Sequence, residues 1–276
     1  MIKTILITGT SSGIGRAIAT YFSERNWNVA ATMRKPDKET ELQHLKNIKL
    51  YPLDVVDQNS IQTAINDIIK DFDKIDVVVN NAGYGAVGIF EKSEHKDIQK
   101  QFDVNVFGLM NVTRYILPHF RKNHNGTIIN ITSVGGRITF PLYSVYHGTK
   151  WAVEGFAEAL QFELKPFNIK VKNVEPGAIK TDFYDRSQEL FQNPEIADYD
   201  DYEKITFANT QKAGKDAPGP EIVAKTVYKA ANSKSFKLRY PVGPSAGLFL
   251  MLRKLIPLSW FTKMVSSVVE RGYDKQ

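Results

Sequence analysis

The chain of 276 residues contains no cysteine. This absence excludes disulfide bonds, thiolate metal sites and thiol nucleophiles. The histidines show no spacing typical of metal ligands, so we expect no metal site and predict a surface position for each of them: His44, His95, His119, His124 and His147. Since nothing in this composition requires an oxidising compartment, we expect a cytoplasmic protein.

The chain also lacks a long uninterrupted apolar run. The apolar residues 1–8 are too few for a signal peptide and predict a buried strand. A second apolar region, Ala246 to Val269, is interrupted by basic residues and a proline, so we predict no transmembrane span. This tail can pack on the domain, pack against another subunit or make peripheral contact with a membrane surface. We favour packing on the domain.

Positive charge is in slight excess over negative charge. The sequence has 36 lysines and arginines against 30 aspartates and glutamates, a formal net charge of +6. Such a balance is compatible with nucleic acid, an anionic membrane or an anionic cofactor as partner. The basic residues are scattered among acidic ones and form no dense block, which predicts a mildly basic surface without nucleic-acid binding.

Short Val/Ile-rich runs alternate with longer amphipathic stretches over the first two thirds of the chain. The runs are nearly continuous in apolar character, as in parallel strands covered on both faces. The predicted strands are Thr4–Thr8, Asn28–Met33, Ile48–Leu53, Asp76–Asn80, Thr127–Thr132 and Ile169–Glu175. The predicted helices are Gly13–Arg25, Ser60–Phe72, Glu94–His119 (as one helix or as two with a break midway) and Tyr146–Lys165. This order predicts an α/β fold, with a Rossmann-like, doubly wound parallel sheet and helices on both faces.

The pattern changes in the last third of the chain. Residues 182–215 are polar and without a strong period, and we predict a substrate lid there. Pro220 is expected to start a helix that runs to Asn232, followed by a last strand at Phe236–Val242. The apolar tail, 245–276, predicts a C-terminal helical extension. With no sharp shift in composition, we expect a single domain.

Glycines separate the first predicted strand from the first predicted helix, in the run Gly9–Gly15. At this place in a βαβ unit, side chains would block the approach of a pyrophosphate to the helix N-terminus. Backbone N–H groups and the positive end of the helix can then hold the phosphates. The position predicts a dinucleotide site rather than an ordinary tight turn.

The end of the second predicted strand bears on which dinucleotide is bound. An acidic residue there would bond the ribose hydroxyls and repel a 2′-phosphate. The strand carries no acid, and Arg34 and Lys35 follow it directly. A guanidinium can donate two parallel hydrogen bonds to a phosphate, and an ammonium adds a positive point charge. We therefore predict NADP(H) in preference to NAD(H), although two basic residues also suit a solvated loop.

Motifs between residues 3 and 182 resemble, in order, those of the short-chain dehydrogenase/reductase (SDR) family. They are the glycine pattern Thr8, Gly9, Gly13 and Gly15, the segment Leu53 to Val55, the run Asn80, Asn81, Ala82 and Gly83, the single residues Asn105 and Ser133, the pair Tyr146 and Lys150, and the segment Pro176, Gly177 and Thr181. The chain length and the glycine spacing resemble the shorter oxidoreductase branch more than the longer branch that modifies nucleotide sugars.

The resemblance implies roles for individual residues. Tyr146 is the implied catalytic acid/base, Lys150 lowers the pKa of Tyr146 and binds the nicotinamide ribose, and Ser133 orients the substrate oxygen. Asn105 is implied to hold a helix kink and a water that relays protons to Lys150. The implied cofactor contacts are Gly9, Ser11, Ser12, Gly13, Ile14, Gly15, Arg34, Lys35, Asp54, Val55, Asn81, Ala82, Gly83, Tyr146, Lys150, Pro176, Gly177, Ile179 and Thr181.

The spacing of Tyr146 and Lys150 suits acid/base chemistry. Four positions apart on a helix, the two side chains share one face. Lowering a tyrosine pKa by about three units takes roughly 4 kcal/mol. A lysine cation about 4 Å away, at an effective dielectric near 20, supplies about that much.

The sequence thus predicts an NADP(H)-dependent oxidoreductase that transfers hydride between the nicotinamide and an alcohol, ketone or aldehyde carbon. Apolar and aromatic side chains of the predicted pocket favour a lipophilic small molecule; they are Phe140, Leu142, Tyr143, Phe183, Tyr184 and Phe191. The resemblance implies a homodimer or homotetramer formed through the helices near Asn105–His119 and Tyr146–Lys165. The alternative is a non-catalytic NADP(H)-binding regulatory or scaffold protein on the same fold.

Overall fold

Parallel strands form a seven-stranded sheet in the computed structural model, which describes residues 2–181, 188–215 and 217–273. In spatial order across the sheet they are β3 (Ile48–Pro52), β2 (Asn28–Met33), β1 (Thr4–Thr8), β4 (Val77–Asn80), β6 (Gly126–Ile131), β7 (Ile169–Pro176) and β9 (Arg239–Val242). Every neighbouring pair is parallel. All of these strands therefore end at the same edge of the sheet, and the loops that follow them share one side.

Helices cover both faces of the sheet. One face carries α1 (Gly13–Ser23) and α7 (Glu221–Asn232), and the other carries α2 (Gln58–Phe72), α4 (Leu109–Lys122) and α5 (Ser144–Leu164). From β1 the chain crosses over toward both edges of the sheet, and the crossover helices therefore lie on both faces. These helices bury the strands from both sides. The predicted doubly wound parallel sheet is confirmed.

Successive side chains along a strand point alternately into two separate hydrophobic cores. In β1, Ile5 and Ile7 point into the core shared with α1 and α7, whereas Leu6 points into the core shared with α2, α4 and α5. All three side chains are fully buried. A one-residue slip of β1 would exchange these faces, so the pattern specifies the register.

The remaining elements lie outside the large sheet. They are β5 (Gly85–Val87), which pairs in parallel with β8 (Gln188–Leu190), and the helices α3 (His95–Phe102), α6 (Asp200–Lys215), α8 (Ala246–Leu255) and α9 (Leu258–Val269). The small sheet was missing from the sequence prediction because strands of this length carry no recognisable period. Within the described residues, no helix is long and apolar enough to cross a bilayer.

The last strand of the large sheet is shorter than the predicted Phe236–Val242 and begins at Arg239. Before it, Ser233 Oγ accepts the N–H of Ser235, and Ser235 Oγ accepts the N–H of Lys237, both at 3.3 Å. Serine side chains thus satisfy backbone donors that a strand would present to its neighbour.

A row of asparagines fixes the register of the central strands. Asn80, Asn130 and Asn173 are buried side by side on β4, β6 and β7. Asn80 Nδ2 donates to Asn130 Oδ1 at 3.0 Å, and Asn130 Nδ2 donates to Asn173 Oδ1 at 3.0 Å. Because a buried amide without a partner is costly, this row favours one alignment of the strands.

A buried ionic cluster joins α5, β7 and β9. Glu175 is fully buried on β7, and Glu154 on α5 is nearly so. The Nε of Arg239 lies 3.0 Å from a Glu154 oxygen and 3.4 Å from a Glu175 oxygen, and Arg137 approaches Glu175 to 3.5 Å. Burial, followed by the nearby charge of Glu154, raises the pKa of Glu175 to about 7.

We predict that Glu175→Gln removes a pH dependence of stability. The pKa of Glu175 rises from an ordinary 4.5 to about 7 on folding, so the native state holds an extra proton between these values. In the wild type this group therefore lowers the free energy of unfolding as pH rises from 4.5 to 7, by up to about 3 kcal/mol. Urea unfolding at pH 5 and pH 8 measures the difference between the two proteins.

The matched control is Glu158→Gln, which removes an exposed carboxylate from the same Arg239. It should follow the wild-type pH dependence. An equal pH dependence in Glu175→Gln and the wild type would contradict the assignment.

Candidate active site

The loop between β1 and α1 is shaped for close approach of backbone to a ligand. Gly9 has a φ of +71°, in the left-handed region that favours glycine. A Cβ on Gly9 would lie 2.9 Å from the Cα of Ala82, and a Cβ on Gly15 would lie 2.2 Å from the carbonyl oxygen of Gly9. Both positions therefore exclude a side chain, as the glycine pattern predicts.

Hydrogen bonds from Asn81 hold this loop. Its Nδ2 donates to the carbonyl oxygens of Thr8 and Gly9 at 2.9 and 3.0 Å. In return, Thr8 Oγ1 accepts the backbone N–H groups of Asn81 and Ala82, both at 3.0 Å. These bonds place the segments that follow β1 and β4 side by side, so the structure brings together the predicted cofactor contacts Gly9, Asn81 and Ala82.

The N-terminus of α1 is suited to an anion. The Ser12 side chain makes no capping hydrogen bond, and the first turn contains no acidic residue. The first N–H groups of a helix lack intrahelical partners and carry the positive end of its dipole. Ser11, Gly13 and Ile14 complete this end of the site, which can bind a pyrophosphate.

Basic side chains follow β2 next to the glycine loop. Arg34 and Lys35 are exposed, and neither forms an ion pair with another residue that the structure describes. The N–H of Thr10 donates to the carbonyl oxygen of Thr32 at 3.1 Å, which ties the glycine loop to the end of this strand. The charges of Arg34 and Lys35 are therefore available to an anionic ligand.

Arg16 is a basic residue of this region that the sequence analysis missed. Its guanidinium lies 2.7 Å from Glu39 and 2.6 Å from Glu41, and it donates to the carbonyl oxygen of Ser11 at 2.8 Å. The two carboxylates neutralise its charge, so it braces the glycine loop. In the sequence, the position of Arg16 directly after Gly15 was the signal from which this residue could have been identified.

The segments after β3 and β7 flank the glycine loop. Asp54 accepts the N–H of Val56 at 3.2 Å and donates its own N–H to Ser60 Oγ at 3.0 Å, which fixes the turn around the buried Val55. On the other side, the N–H of Gly177 donates to the carbonyl oxygen of β9 residue Val242 at 2.8 Å. Both turns are held by hydrogen bonds at the carboxyl edge of the sheet.

Beyond Gly177 the chain turns toward α1. Ile179 is buried, and a Cβ on Gly13 would lie 3.6 Å from the Cβ of Thr181. Thr181 thus lies against the helix terminus that can hold phosphates. The predicted pocket residues Phe183 and Tyr184 fall outside the described residues, as does the start of the predicted lid.

Helix α5 presents Tyr146 and Lys150 on one face. The Nζ of Lys150 lies 5.7 Å from the centre of the Tyr146 ring and donates to the carbonyl oxygen of Ile131 at 3.0 Å. Burial lowers the pKa of Lys150 to about 8, and the carboxylate of Glu154, one helical turn further on, acts in the opposite direction. Lys150 is therefore a cation at neutral pH and loses its charge as the pH rises above 8.

A π-helical turn, Asp103–Gly108, separates α3 from α4 and contains Asn105. The Asn105 side chain is buried; it accepts the N–H of Tyr84 at 3.0 Å and donates to the carbonyl oxygen of Tyr84 at 2.8 Å. It also donates to the hydroxyl of Thr149 at 3.2 Å, directly before Lys150. Turns of this kind are frequent at functional sites, and here one holds the segment after β4 against α5.

Ser133 lies after the carboxyl end of β6. Its Oγ accepts the N–H of Gly135 at 3.0 Å and lies 3.5 Å from the carbonyl oxygen of Pro176. The hydroxyl is thus positioned between the segments that follow β6 and β7. The single donor of the hydroxyl is used in the long 3.5 Å bond to Pro176, which a substrate oxygen can replace.

Apolar and aromatic side chains surround Tyr146. The ring of Tyr143 packs edge to face at a centroid distance of 6.1 Å. Leu142, at a positive φ of +70°, turns the chain into α5. The cluster around Tyr146 consists of Val87, Ile89, Phe140, Leu142, Tyr143 and, from α6, Tyr202 and Phe207. Phe191, also predicted to line the pocket, is buried in a neighbouring cluster.

The surface position predicted for His147 is wrong. Its side chain is 4% exposed and packs against the rings of Phe140 and Tyr143 at centroid distances of 5.7 and 5.8 Å. Burial lowers its pKa to about 4, so the imidazole is neutral at physiological pH. The loop between β6 and α5 folds over the first turn of α5 and covers this side chain, a tertiary contact that helical periodicity does not reveal.

Comparison with known proteins agrees with this arrangement. The family model described as "short chain dehydrogenase" matches residues 3–190. An uncharacterized oxidoreductase of Bacillus subtilis, YusZ, is 36% identical over 267 residues, which cover 93% of this chain and 95% of the relative. A 3-ketodihydrosphingosine reductase of Bacteroides thetaiotaomicron is 34% identical over 242 residues, which cover 88% of each chain.

A solved structure is similar over most of the chain. The structure of ElxO with NADP bound has a TM-score of 0.73 and 31% sequence identity, and the match covers 88% of this chain and 97% of that chain. Both the sequence and the arrangement of strands and helices are therefore shared with proteins of one family.

Proposed function

This chain belongs to the short-chain dehydrogenase/reductase family and is an oxidoreductase, and we propose that it transfers hydride between NADP(H) and the alcohol or ketone carbon of a lipophilic small molecule. The observation that carries the proposal is the position of Tyr146. Its ring lies beside the Lys150 cation, within an apolar cluster, at the edge of the sheet where the glycine loop, Asn105 and Ser133 also lie.

The residues at the carboxyl edge fit a dinucleotide. The exclusion of side chains at Gly9 and Gly15 leaves backbone N–H groups and the α1 terminus for the pyrophosphate. The exposed guanidinium of Arg34, with Lys35, suits the 2′-phosphate of NADP(H), while Arg16 is occupied by carboxylates. On the opposite side, Ile179 and Thr181 are proposed to contact the nicotinamide, which accepts or donates the hydride when bound.

Acid/base catalysis is assigned to Tyr146. In ketone reduction the phenol gives its proton to the substrate oxygen as the carbonyl carbon gains hydride, and in alcohol oxidation the phenolate takes the proton back. The Lys150 cation is proposed to favour the phenolate form of Tyr146 through its positive charge. Because Lys150 itself loses its charge above about pH 8, this assistance weakens at higher pH.

Ser133 and Asn105 are proposed to position the reacting groups. Ser133 can donate a hydrogen bond to the substrate oxygen and stabilise the negative charge that develops on it. Asn105 is proposed to act through its bonds to Tyr84 and Thr149, which connect it to α5 and therefore to Lys150. We also propose that a water held by Asn105 relays protons to Lys150.

A lipophilic ketone is the proposed substrate class. The cluster around Tyr146 is apolar and aromatic, which favours apolar ligands over charged ones. Tyr202 and Phe207 bring α6 into this cluster, so this helix of the proposed lid is proposed to contribute to the pocket wall. The similar protein of Bacteroides thetaiotaomicron is named a 3-ketodihydrosphingosine reductase, and this name supports a ketone as the substrate.

A homodimer or homotetramer is proposed as the assembly. Large apolar side chains are exposed on the π-helical turn and on α5: Phe107, Trp151 and Phe162. Single exposed apolar residues are common, but these lie on the two helical segments for which a subunit interface is predicted.

We predict that Tyr146→Phe lowers kcat/KM for NADPH-dependent ketone reduction by about 10²- to 10⁴-fold, because the proton donor is lost. NADPH oxidation with a series of long-chain ketones measures this. Tyr115→Phe, which removes a phenol on α4 outside the cluster around Tyr146, is the matched control and should retain most of the activity. Nucleotide binding with no reduction of any ketone by the wild type would favour the alternative of a non-catalytic NADP(H)-binding protein.

We predict that Arg34→Glu weakens NADPH binding by about ten- to a hundredfold, because a charge-assisted bond to the 2′-phosphate is replaced by repulsion. NADH lacks this phosphate, so its affinity should change little. Fluorescence titration with both nucleotides measures the preference, and Lys38→Glu, an exposed charge reversal in the same loop, is the control. Equal losses of NADPH affinity in the two variants would contradict a specific role for Arg34.

A further inference from the structure

The C-terminal helices leave an apolar surface uncovered. We define the tail surface as Leu248, Met251 and Leu255 on α8, with Leu258 and Trp260 at the start of α9. Each of these side chains is more than half exposed. Scattered apolar residues need no explanation, but five within thirteen consecutive positions form a contiguous patch of the kind that marks an interaction site.

The tail surface is not needed for packing on the domain. Positions 248, 251 and 255 share one face of α8, whereas Ala246 and Leu250 lie on the opposite face and are buried. Leu250 joins Phe261 and Val265 of α9 in a core around Ile138, a residue of the loop after β6. Helix α8 is therefore apolar on two faces, of which the domain covers one.

The charged side chains on α8 and α9 are all positive. Between Ile222 and Val269 the sequence contains eight lysines and arginines and no aspartate or glutamate, so the expectation that basic residues are scattered among acidic ones is wrong for this stretch. Three of these cations, Arg253, Lys254 and Lys263, lie on α8 and α9 themselves.

Carboxylates of α5 reach the same cleft as Arg253 and Lys254 but are already occupied. Glu154 and Glu158 line that cleft, and both are paired with Arg239. Arg253 and Lys254 form no ion pair within the described part of the chain. Arg253 lies on the domain side of α8, 5.9 Å from the centre of the buried Phe261 ring, whereas Lys254 and Lys263 are exposed. The charges of Lys254 and Lys263 are thus left for an external partner.

We propose that the tail surface binds the surface of an anionic lipid bilayer. Apolar side chains flanked by lysine and arginine, with tryptophan at the boundary, are the features by which helices lie in the interface of such a membrane. A second copy of this chain fits less well, because a symmetric contact would bring the exposed Lys254 and Lys263 of both copies together without acidic partners.

The proposal also bears on the substrate, and this step rests on the proposed function. The core beneath the tail surface includes Val134 and Phe140, from the loop that leads to Tyr146. The tail surface and the proposed pocket are therefore opposite sides of one layer of side chains. A bilayer bound there would place membrane-dissolved ketones next to the pocket wall.

Vesicle flotation of the full chain, without nucleotide or substrate, tests the binding. The probes are phosphatidylcholine vesicles with and without 30% phosphatidylglycerol. We expect binding to the anionic vesicles, release in 0.5 M NaCl through screening, and a blue shift of Trp260 emission that is absent in Trp260→Phe. Because this experiment measures no catalysis, a lack of vesicle binding would leave the proposed oxidoreductase function untouched. Conversely, a protein that binds vesicles but reduces no ketone would refute only the proposed oxidoreductase function.

Two variants separate the contributions to binding. Met251→Glu combined with Leu255→Glu should weaken the partition by a hundredfold or more, since each lost apolar contact accounts for roughly tenfold. Replacing Lys254 and Lys263 by Gln should weaken it by about 25-fold, at about fivefold for each charge. Ile2→Glu, which places a carboxylate on an exposed apolar residue before β1, is the matched control and should bind like the wild type.

Three outcomes would overturn the proposal. The first is equal binding to neutral and anionic vesicles or to neither; the second is an equal loss in Ile2→Glu and in the α8 double variant. The third is a change of molecular mass in sedimentation equilibrium for the double variant, with no vesicle binding by the wild type. That result would identify the tail surface as an interface between copies of the chain.

Discussion

The parallel register of β1, β4, β6 and β7 is the constraint on which the site depends. Because all four strands end at one edge, the chain leaves the sheet there four times, and residues distant in sequence become neighbours. Asn81 braces the glycine loop across this edge, and Ser133 spans from the end of β6 to the end of β7. The buried asparagine row fixes the alignment of β4, β6 and β7, so it also fixes the site.

Lys150 connects the sheet to the proposed chemistry. Its ammonium is partly removed from water and is held by the last carbonyl of β6 beside the Tyr146 ring. Burial favours the neutral amine, and the carboxylate of Glu154 opposes it, so the charge survives at neutral pH. Glu154 belongs in turn to the buried cluster with Glu175 and Arg239, through which α5, β7 and β9 are joined.

Elements with a strong period were predictable from the sequence, and those made by tertiary contact were not. The bounds of β1 and β2 agree with the prediction because their apolar runs end at glycine or at charged residues. The site motifs are local and ordered along the chain, so their convergence followed from the topology. In contrast, the burial of His147, the pKa of Glu175 and the pairing of Arg16 with two carboxylates depend on segments far away in sequence.

The most direct test of the proposed hydride transfer is an isotope measurement. The protein would be incubated with a long-chain ketone and NADPH carrying deuterium on the reactive face of the nicotinamide, and the product analysed by mass spectrometry. The account predicts deuterium on the new carbinol carbon, in proportion to the NADPH consumed, and loss of this transfer in Tyr146→Phe. Tight binding of NADPH with no deuterium in any ketone-derived product would contradict it.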